Sequence, residues 1–375
     1  MAAEADADQP PYLPDELITK ILVRLPVKSL IRFKSVCKLW FSLISDSHFA
    51  NSHFQLTSST HTRRILFITG IPEFRSIALD SLFTSDSAPA LLNPNFDLPK
   101  SHFDLKVIGS CRGFILLECF SNIYVWNPST GVHRQIPSPP PNYSRLNFYG
   151  FGYDESRDDY LVVLVSYDCI PYSHDVLSRI WIFSMRANVC NEIVSPAHLP
   201  FYSELSPFAY SVVESVFNGA IHWLAIRHDV CEYVIVSFHL IERILLEIPL
   251  PDDHDDDIEY GSTDCSLWVF RGFLSLWVMR DEDKVDIWVM KEYKVQSSWS
   301  KTLVFDLHTI SYISLVCCTK SGDIVGTDGC TGLVRYDNEG EFLEHNDYCK
   351  DSENGFGLVV YTESLLSLPS DIEQA

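Results

Sequence analysis

The chain has 375 residues, a formal net charge of −22, 46% hydrophobic side chains and 13% aromatic ones. That apolar content can fill a large core and excludes a disordered chain, while the acidity argues against nucleic acid and anionic membrane as partners. Eleven cysteines are scattered without a CxxC pair, which fits free thiols in a reducing compartment better than a disulfide framework or a zinc site.

Residues 1–12, MAAEADADQPPY, are acidic and Pro-containing and lack an apolar h-region, so they are expected to be a disordered tail and not a secretory signal. No apolar run approaches the roughly 18 residues of a membrane helix. Cytoplasm, nucleus or both are the expected location. The charge is uneven: residues 1–50 hold six basic and six acidic side chains, and residues 51–375 hold 22 and 44. A basic partner is therefore favoured electrostatically, although a solvated acidic surface explains the same excess.

Helical spacing is confined to Leu13–Phe49. Leu13, Leu17, Ile21 and Leu25 recur at steps of four, and Leu22 widens their stripe. Pro14 sits where a missing N–H costs nothing, and Asp15 and Glu16 complement the helix dipole. Pro26 stops the first helix. Val27–Phe33 give a second, and Ser35 is expected to cap a third through Val36, Leu39, Trp40, Leu43 and Ile44. About 40 residues cannot bury so many large side chains on themselves, so part of this surface must meet something else. From pattern alone that is a partner or the following domain. His48–Thr62 reads as a polar connector.

From Arg63 the period becomes two, with turns every 8–15 residues. A turn followed by an apolar strand recurs at Arg112-Gly113, Asp158-Asp159, Asn218-Gly219, Arg271-Gly272 and Ser321-Gly322, with spacings of 46, 60, 53 and 50 residues. Second and third strands follow each time, for example IYVWNPSTG and VHRQIP. A period near 50 with four strands per unit predicts a β-propeller. Five complete units run from about Phe103 to Asp347. Leftover strands, RRILFITG and RSIALDSLF before and GLVVYTES (357–364) after, are expected to join as a sixth blade that closes the ring; a seventh blade within 64–105 is the alternative. Trp126, Trp181, Trp223, Trp268, Trp277 and Trp288 lie within strands and should pack between blades, and His222 reads as a core or rim histidine.

Two families share these residues. LPDELITKILVRLPVKSLIRFKSVCKLWFSLI resembles an F-box, the module that docks substrate receptors on the Skp-type adaptor of a cullin–RING ubiquitin ligase. GSCRGFILLE (109–118), VWNPSTGVHRQIP (125–137), FGYDESRDDYLVV (151–163), FNGAIHWLA (217–225), FRGFLSLW (270–277) and VVYTESLLSL (359–368) resemble the F-box-associated domain of plant F-box proteins, a relative of kelch propellers without their regular Gly-Gly pairs. The resemblance implies an all-α F-box followed by an all-β propeller of six four-stranded antiparallel blades. The corresponding divisions are a tail (1–12), F-box (13–50), linker (51–62), propeller (63–368) and tail (369–375). It implies adaptor contacts from Leu13, Pro14, Leu17, Ile21, Leu22, Leu25, Pro26, Leu30, Val36, Cys37 and Trp40, with a cullin reached through the adaptor and a protein substrate held by the propeller.

Catalytic and metal patterns fail on inspection. GSCRG (109–113) matches a nucleophile elbow but runs into a strand, where the elbow needs a helix. Asp253, Asp255 and Asp257 alternate like a calcium loop, but Ile258 stands where glycine is needed and Asp264 where glutamate is needed. The expectation is a non-catalytic subunit with no cofactor and no metal. The competing reading is a glycan-binding or enzymatic propeller capped by the helices.

Loop lengths place the expected substrate surface. Loops from second to third strand and loops between blades share one face, and here they are long: 137–146, 166–178, 195–210, 249–263 and 279–284. The opposite face carries tight turns, and the helical segment should join there. Long loops on a rigid scaffold serve recognition. Tyr143, Tyr172, Phe201, Tyr202 and Tyr260, beside Asp252, Asp253, Asp255, Asp256 and Asp257, are the expected contacts for a basic or amphipathic target.

Overall fold

A computed structural model describes residues 13–57, 62–68, 73–84, 88–94, 96–98, 105–120, 122–137, 146–169, 176–194, 201–202, 215–227, 232–252, 265–280, 283–307, 310, 313–328, 332–348 and 357–369. Four helices come first: α1 (Asp15–Leu22), α2 (Val27–Phe33), α3 (Lys38–Ser45) and α4 (Ser47–Leu56). Pro14 and Pro26 stand immediately before α1 and α2, and their carbonyls accept the first helical N–H bonds. Proline has the fixed φ that starts a helix and no N–H to lose there.

Two expectations change in this region. Ser35 does not cap α3: its hydroxyl donates back to the Arg32 carbonyl (2.7 Å), and Cys37 is the residue before the helix. A serine hydroxyl at the end of α2 finds a nearby helix-terminal carbonyl more easily than a distant N–H. The expected connector from His48 is α4 as far as Leu56. Asp46 starts α4 by accepting from the Phe49 amide at 2.9 Å, and its stripe of Phe49, Ala50 and His53 is buried. A stripe this narrow, with a histidine in it, is easily read as polar.

The strands form six sheets. β1 (Arg63–Ile68), β2 (Phe74–Ala78) and β3 (Ala90–Leu92) begin the first blade. The second holds β4 (Leu105–Cys111), β5 (Phe114–Cys119), β6 (Asn122–Trp126) and β7 (His133–Ile136). The third holds β8 (Leu146–Asp154), β9 (Asp159–Cys169), β10 (Val176–Ser184) and β11 (Val189–Val194). In the fourth, β12 (Phe201–Tyr202) and β13 (Ser215–Phe217) pair with opposite ends of β14 (Ala220–Arg227), followed by β15 (Glu232–His239) and β16 (Leu245–Ile248). The fifth holds β17 (Cys265–Phe270), β18 (Phe273–Arg280), β19 (Lys284–Met290) and β20 (Trp299–Asp306). The sixth holds β21 (Ser314–Cys318), β22 (Ile324–Thr327), β23 (Gly332–Tyr336) and β24 (Phe342–Asp347).

β25 (Gly357–Thr362) returns to the first blade and pairs antiparallel with β1, Arg64 opposite Tyr361 and Leu66 opposite Val359. The chain's late strand thus closes the ring as its apolar pattern indicates, and the described strands before β4, which are β1, β2 and β3, belong to this blade and not to a seventh. The first strands line the axis: β25 touches β4, β4 touches β8, β13 touches β17, β17 touches β21 and β21 touches β25.

Three of the recurring turns share one geometry. Cys111 pairs with Phe114, Phe217 with Ala220 and Phe270 with Phe273, leaving two-residue loops. Both loop residues have positive φ each time, as at Arg112 (49°) and Gly113 (90°). This is the type I′ turn, whose twist matches that of the strands it joins.

Each seam between blades has its own apolar cluster. Trp126 and Trp268 are fully buried in two of them, and the Trp223 indole N–H donates to the Tyr149 carbonyl of the neighbouring blade at 2.7 Å. His222 is buried, hydrogen-bonded to the Tyr293 hydroxyl at 2.8 Å. The cluster between the second and third blades is unlike the others. It continues into the helices through Leu22, Val27, Leu30, Ile44 and Phe49, and takes in Leu365, Leu366 and Leu368 after β25.

Candidate functional site

The helical module is apolar on two sides. Within α1, Leu22 is buried, and Ile18 and the following Leu25 pack partly buried against the shared cluster. Leu17 and Ile21, one turn apart, are exposed together with Leu13 before the helix. A residue step turns a helix by about 100°, so neighbours such as Ile21 and Leu22 face different surroundings. Val36 in the α2–α3 turn and Leu39 and Phe41 in α3 are also exposed. Leu13, Leu17, Ile21, Val36, Leu39 and Phe41 are 44–59% exposed. Large apolar groups left in water in such number within 29 residues mark a surface that is covered in use.

The sequence-derived adaptor contacts divide accordingly. Leu13, Pro14, Leu17, Ile21, Pro26, Val36 and Cys37 are exposed, while Leu25 and Trp40 are half-buried, Trp40 tilted against Phe33 with centroids 5.3 Å apart. Leu22 and Leu30 are a correction: at 2% and 0% exposure they fill the core shared with the propeller and present nothing to a partner. Both faces of α1 are apolar, so periodicity finds the stripe without saying which part faces inward. Leu39 and Phe41 are exposed beside that set without belonging to it; Leu39 falls in the stripe expected for the third helix, and Phe41 is signalled only by the apolar density of KLWF.

The module is fixed to the tight-turn face. Arg112, in the β4–β5 turn, donates through Nη2 to Asn51 Oδ1 of α4 at 3.3 Å. Its guanidinium lies over the Phe54 ring of α4 (4.8 Å) and the Tyr153 ring of β8 (4.0 Å). A planar cation between two rings is attracted to both. Asn127, fully buried after β6, donates to the Ser364 and Leu366 carbonyls, each at 3.2 Å, and so holds the segment beneath the helices. The half-buried Glu363 carboxyl has its pKa raised by burial, against the pull of Arg64 at 3.4 Å and of Lys28 on α2.

The expected substrate contacts are not brought together as a described site. Tyr143, Tyr172, Asp253, Asp255, Asp256, Asp257 and Tyr260 lie outside the described residues. Phe201 and Tyr202 form β12, opposite Arg227 and Ile226, where a wholly irregular loop was expected; these two residues extend the first-strand line of the fourth blade. Asp252 is exposed and accepts from Gln296 Nε2 at 2.6 Å.

Comparison with known proteins divides the chain at the same place. A family model described as the F-box domain matches residues 11–51, and one described as the F-box associated beta propeller domain matches residues 70–336. An F-box/kelch-repeat protein of Arabidopsis thaliana is 30% identical over 308 residues, covering 78% of this chain and 79% of its own. The F-box protein CPR1 of the same plant is 30% identical over 311 residues, covering 77% and 72%.

Proposed function

Since the chain belongs to the F-box proteins with an F-box-associated propeller domain, we propose that it is the substrate-recognition subunit of an SCF-type cullin–RING ubiquitin ligase. The helical module docks on the Skp-type adaptor and, through it, on the cullin. The propeller holds the protein to be ubiquitinated, and the conjugating enzyme on the complex does the chemistry. The observation that carries this reading is the two-sided helical module: Leu22 and Leu30 anchor it to the propeller while Leu13, Leu17, Ile21, Val36, Leu39 and Phe41 remain exposed. A mere cap would turn its apolar side inward and show water a polar one.

The test is co-purification with the adaptor. Central apolar anchors cost about 2 kcal/mol or more each when truncated. Leu17→Ala with Ile21→Ala is therefore expected to abolish capture and leave the melting transition of the propeller unchanged. Undiminished capture by the double variant rules the docking face out.

The long-loop face is our proposed site for the target. The helical module occupies the tight-turn side, and the acidic residues 252–257 suit a basic protein. Replacing residues 166–178 and 252–260 with short turns should remove target capture and spare adaptor binding; capture that survives both grafts places the target elsewhere.

A further inference from the structure

A cavity of about 460 Å³ opens among the first strands of the propeller. That is within the roughly 300–1,000 Å³ range of small-molecule sites. Its walls come from β25, β4, β13, β17 and β21, at the ends of these strands nearest the tight turns. The axis is therefore open on the side that carries the helical module.

The charge of this cavity opposes that of the chain. Arg63 and Arg271 line it, and no carboxylate does so among the described residues. Asp323, which acts on the nearby Cys318, is held by Arg335 at 2.7 Å. Arg63 donates one N–H to the Cys318 carbonyl (2.9 Å) and Arg271 one to the Asn338 carbonyl (2.8 Å). A guanidinium has five N–H donors. Cys318 lines the same cavity, and burial pushes its thiol up to about 11 against the pull of both cations. Trp268 lines the cavity too, and its buried indole N–H has no acceptor among the described residues. A buried donor in that state calls for a partner. The remaining wall is mixed: Ser110, Thr319 and Thr362 share it with aliphatic side chains, among them Val269, which is 38% exposed although it belongs to a first strand, and Val359.

We propose that this cavity binds a small organic carboxylate, its anionic head on Arg63 and Arg271 and its apolar body against Val269 and Val359. Guanidinium groups match a carboxylate in charge and in planar geometry, and the valine side chains favour an acid with a hydrocarbon or aryl tail over a bare ion.

Calorimetry on the full chain tests this with phenylacetate, 3-phenylpropionate and 4-phenylbutyrate, each against its primary amide. At least one acid is expected to saturate a single site, and its amide to bind about tenfold or more weakly, because only the acid makes charge-assisted bonds. Arg271 is exposed at a turn, so Arg271→Gln should leave the core intact, weaken the acid by a similar factor and leave the amide unchanged. Val269→Trp fills the cavity and should abolish binding of both, with the melting transition of each variant recorded beside it. The proposal is overturned if no acid of the series binds the native chain, if acid and amide bind equally, or if the Val269→Trp protein binds as the native one does.

Discussion

His53 shows how one side chain reports on the packing of the helical module. Its Nε2–H donates to the Leu25 carbonyl at 2.8 Å, and its ring stacks on Phe49. Burial lowers the imidazole pKa below its ordinary 6.5, with the Leu25 carbonyl pulling the other way. Above pH 6.5 the ring is neutral both folded and unfolded, and no proton is exchanged on folding. As the pH falls through that value the unfolded chain takes up a proton first, so the module loses stability down to the lowered folded pKa. Melting curves between pH 7 and pH 5 should show the native module weakening faster than His53→Phe, which keeps the stack and loses the titration. The variant itself should be about 1 kcal/mol weaker at pH 7 for want of the hydrogen bond. Parallel pH profiles would remove His53 as the cause. Little of this is legible in the sequence, where His53 stands in a polar run. The same limit hid the inward turn of Leu22: one residue step separates it from the exposed Ile21, and only the neighbouring blade decides between them.

At the scale of elements, legibility follows the strength of the periodic signal. The strands could be read because their period-two runs are bounded by two-residue turns whose glycines permit positive φ, as at Gly113. The ring-closing pair of β25 and β1 could be read from apolar strands left over at both ends. α4 could not, since its buried stripe is narrow and its cap, Asp46, lies among other polar residues. The contact between elements was also silent, because Arg112 looks like any residue of a turn. It nevertheless ties the β4–β5 turn to α4 and to β8. Arg112→Ala should release α4 at a cost of about 1–3 kcal/mol, from one hydrogen bond and two ring contacts. Hydrogen exchange would then quicken in 47–56 while the strands stay protected. Arg112→Lys should restore little, as an ammonium lacks the flat face that both rings touch. Unchanged exchange in α4 would mean that the apolar cluster alone holds the helices.

Across the whole molecule, the shared cluster between the second and third blades makes the two domains one packing unit. Removing residues 355–375 takes away β25 and, with it, Leu365, Leu366 and Leu368. The edge of β1 would be bared and two blade faces opened, because each blade is buried on its neighbours. The expected result is a lower melting temperature for the β domain and loss of protection in α1–α4 together. A truncated protein with an unaltered transition would show that ring closure rests on the remaining seams. The same arrangement also bears on how the protein is made. The helical module leaves the ribosome first, yet its inner face is completed by leucines that follow the last strand of the ring. A chain interrupted before Leu365 therefore carries helices whose floor lacks three leucines. Only a chain translated through Leu368 carries every side chain of the cluster on which the N-terminal helices rest.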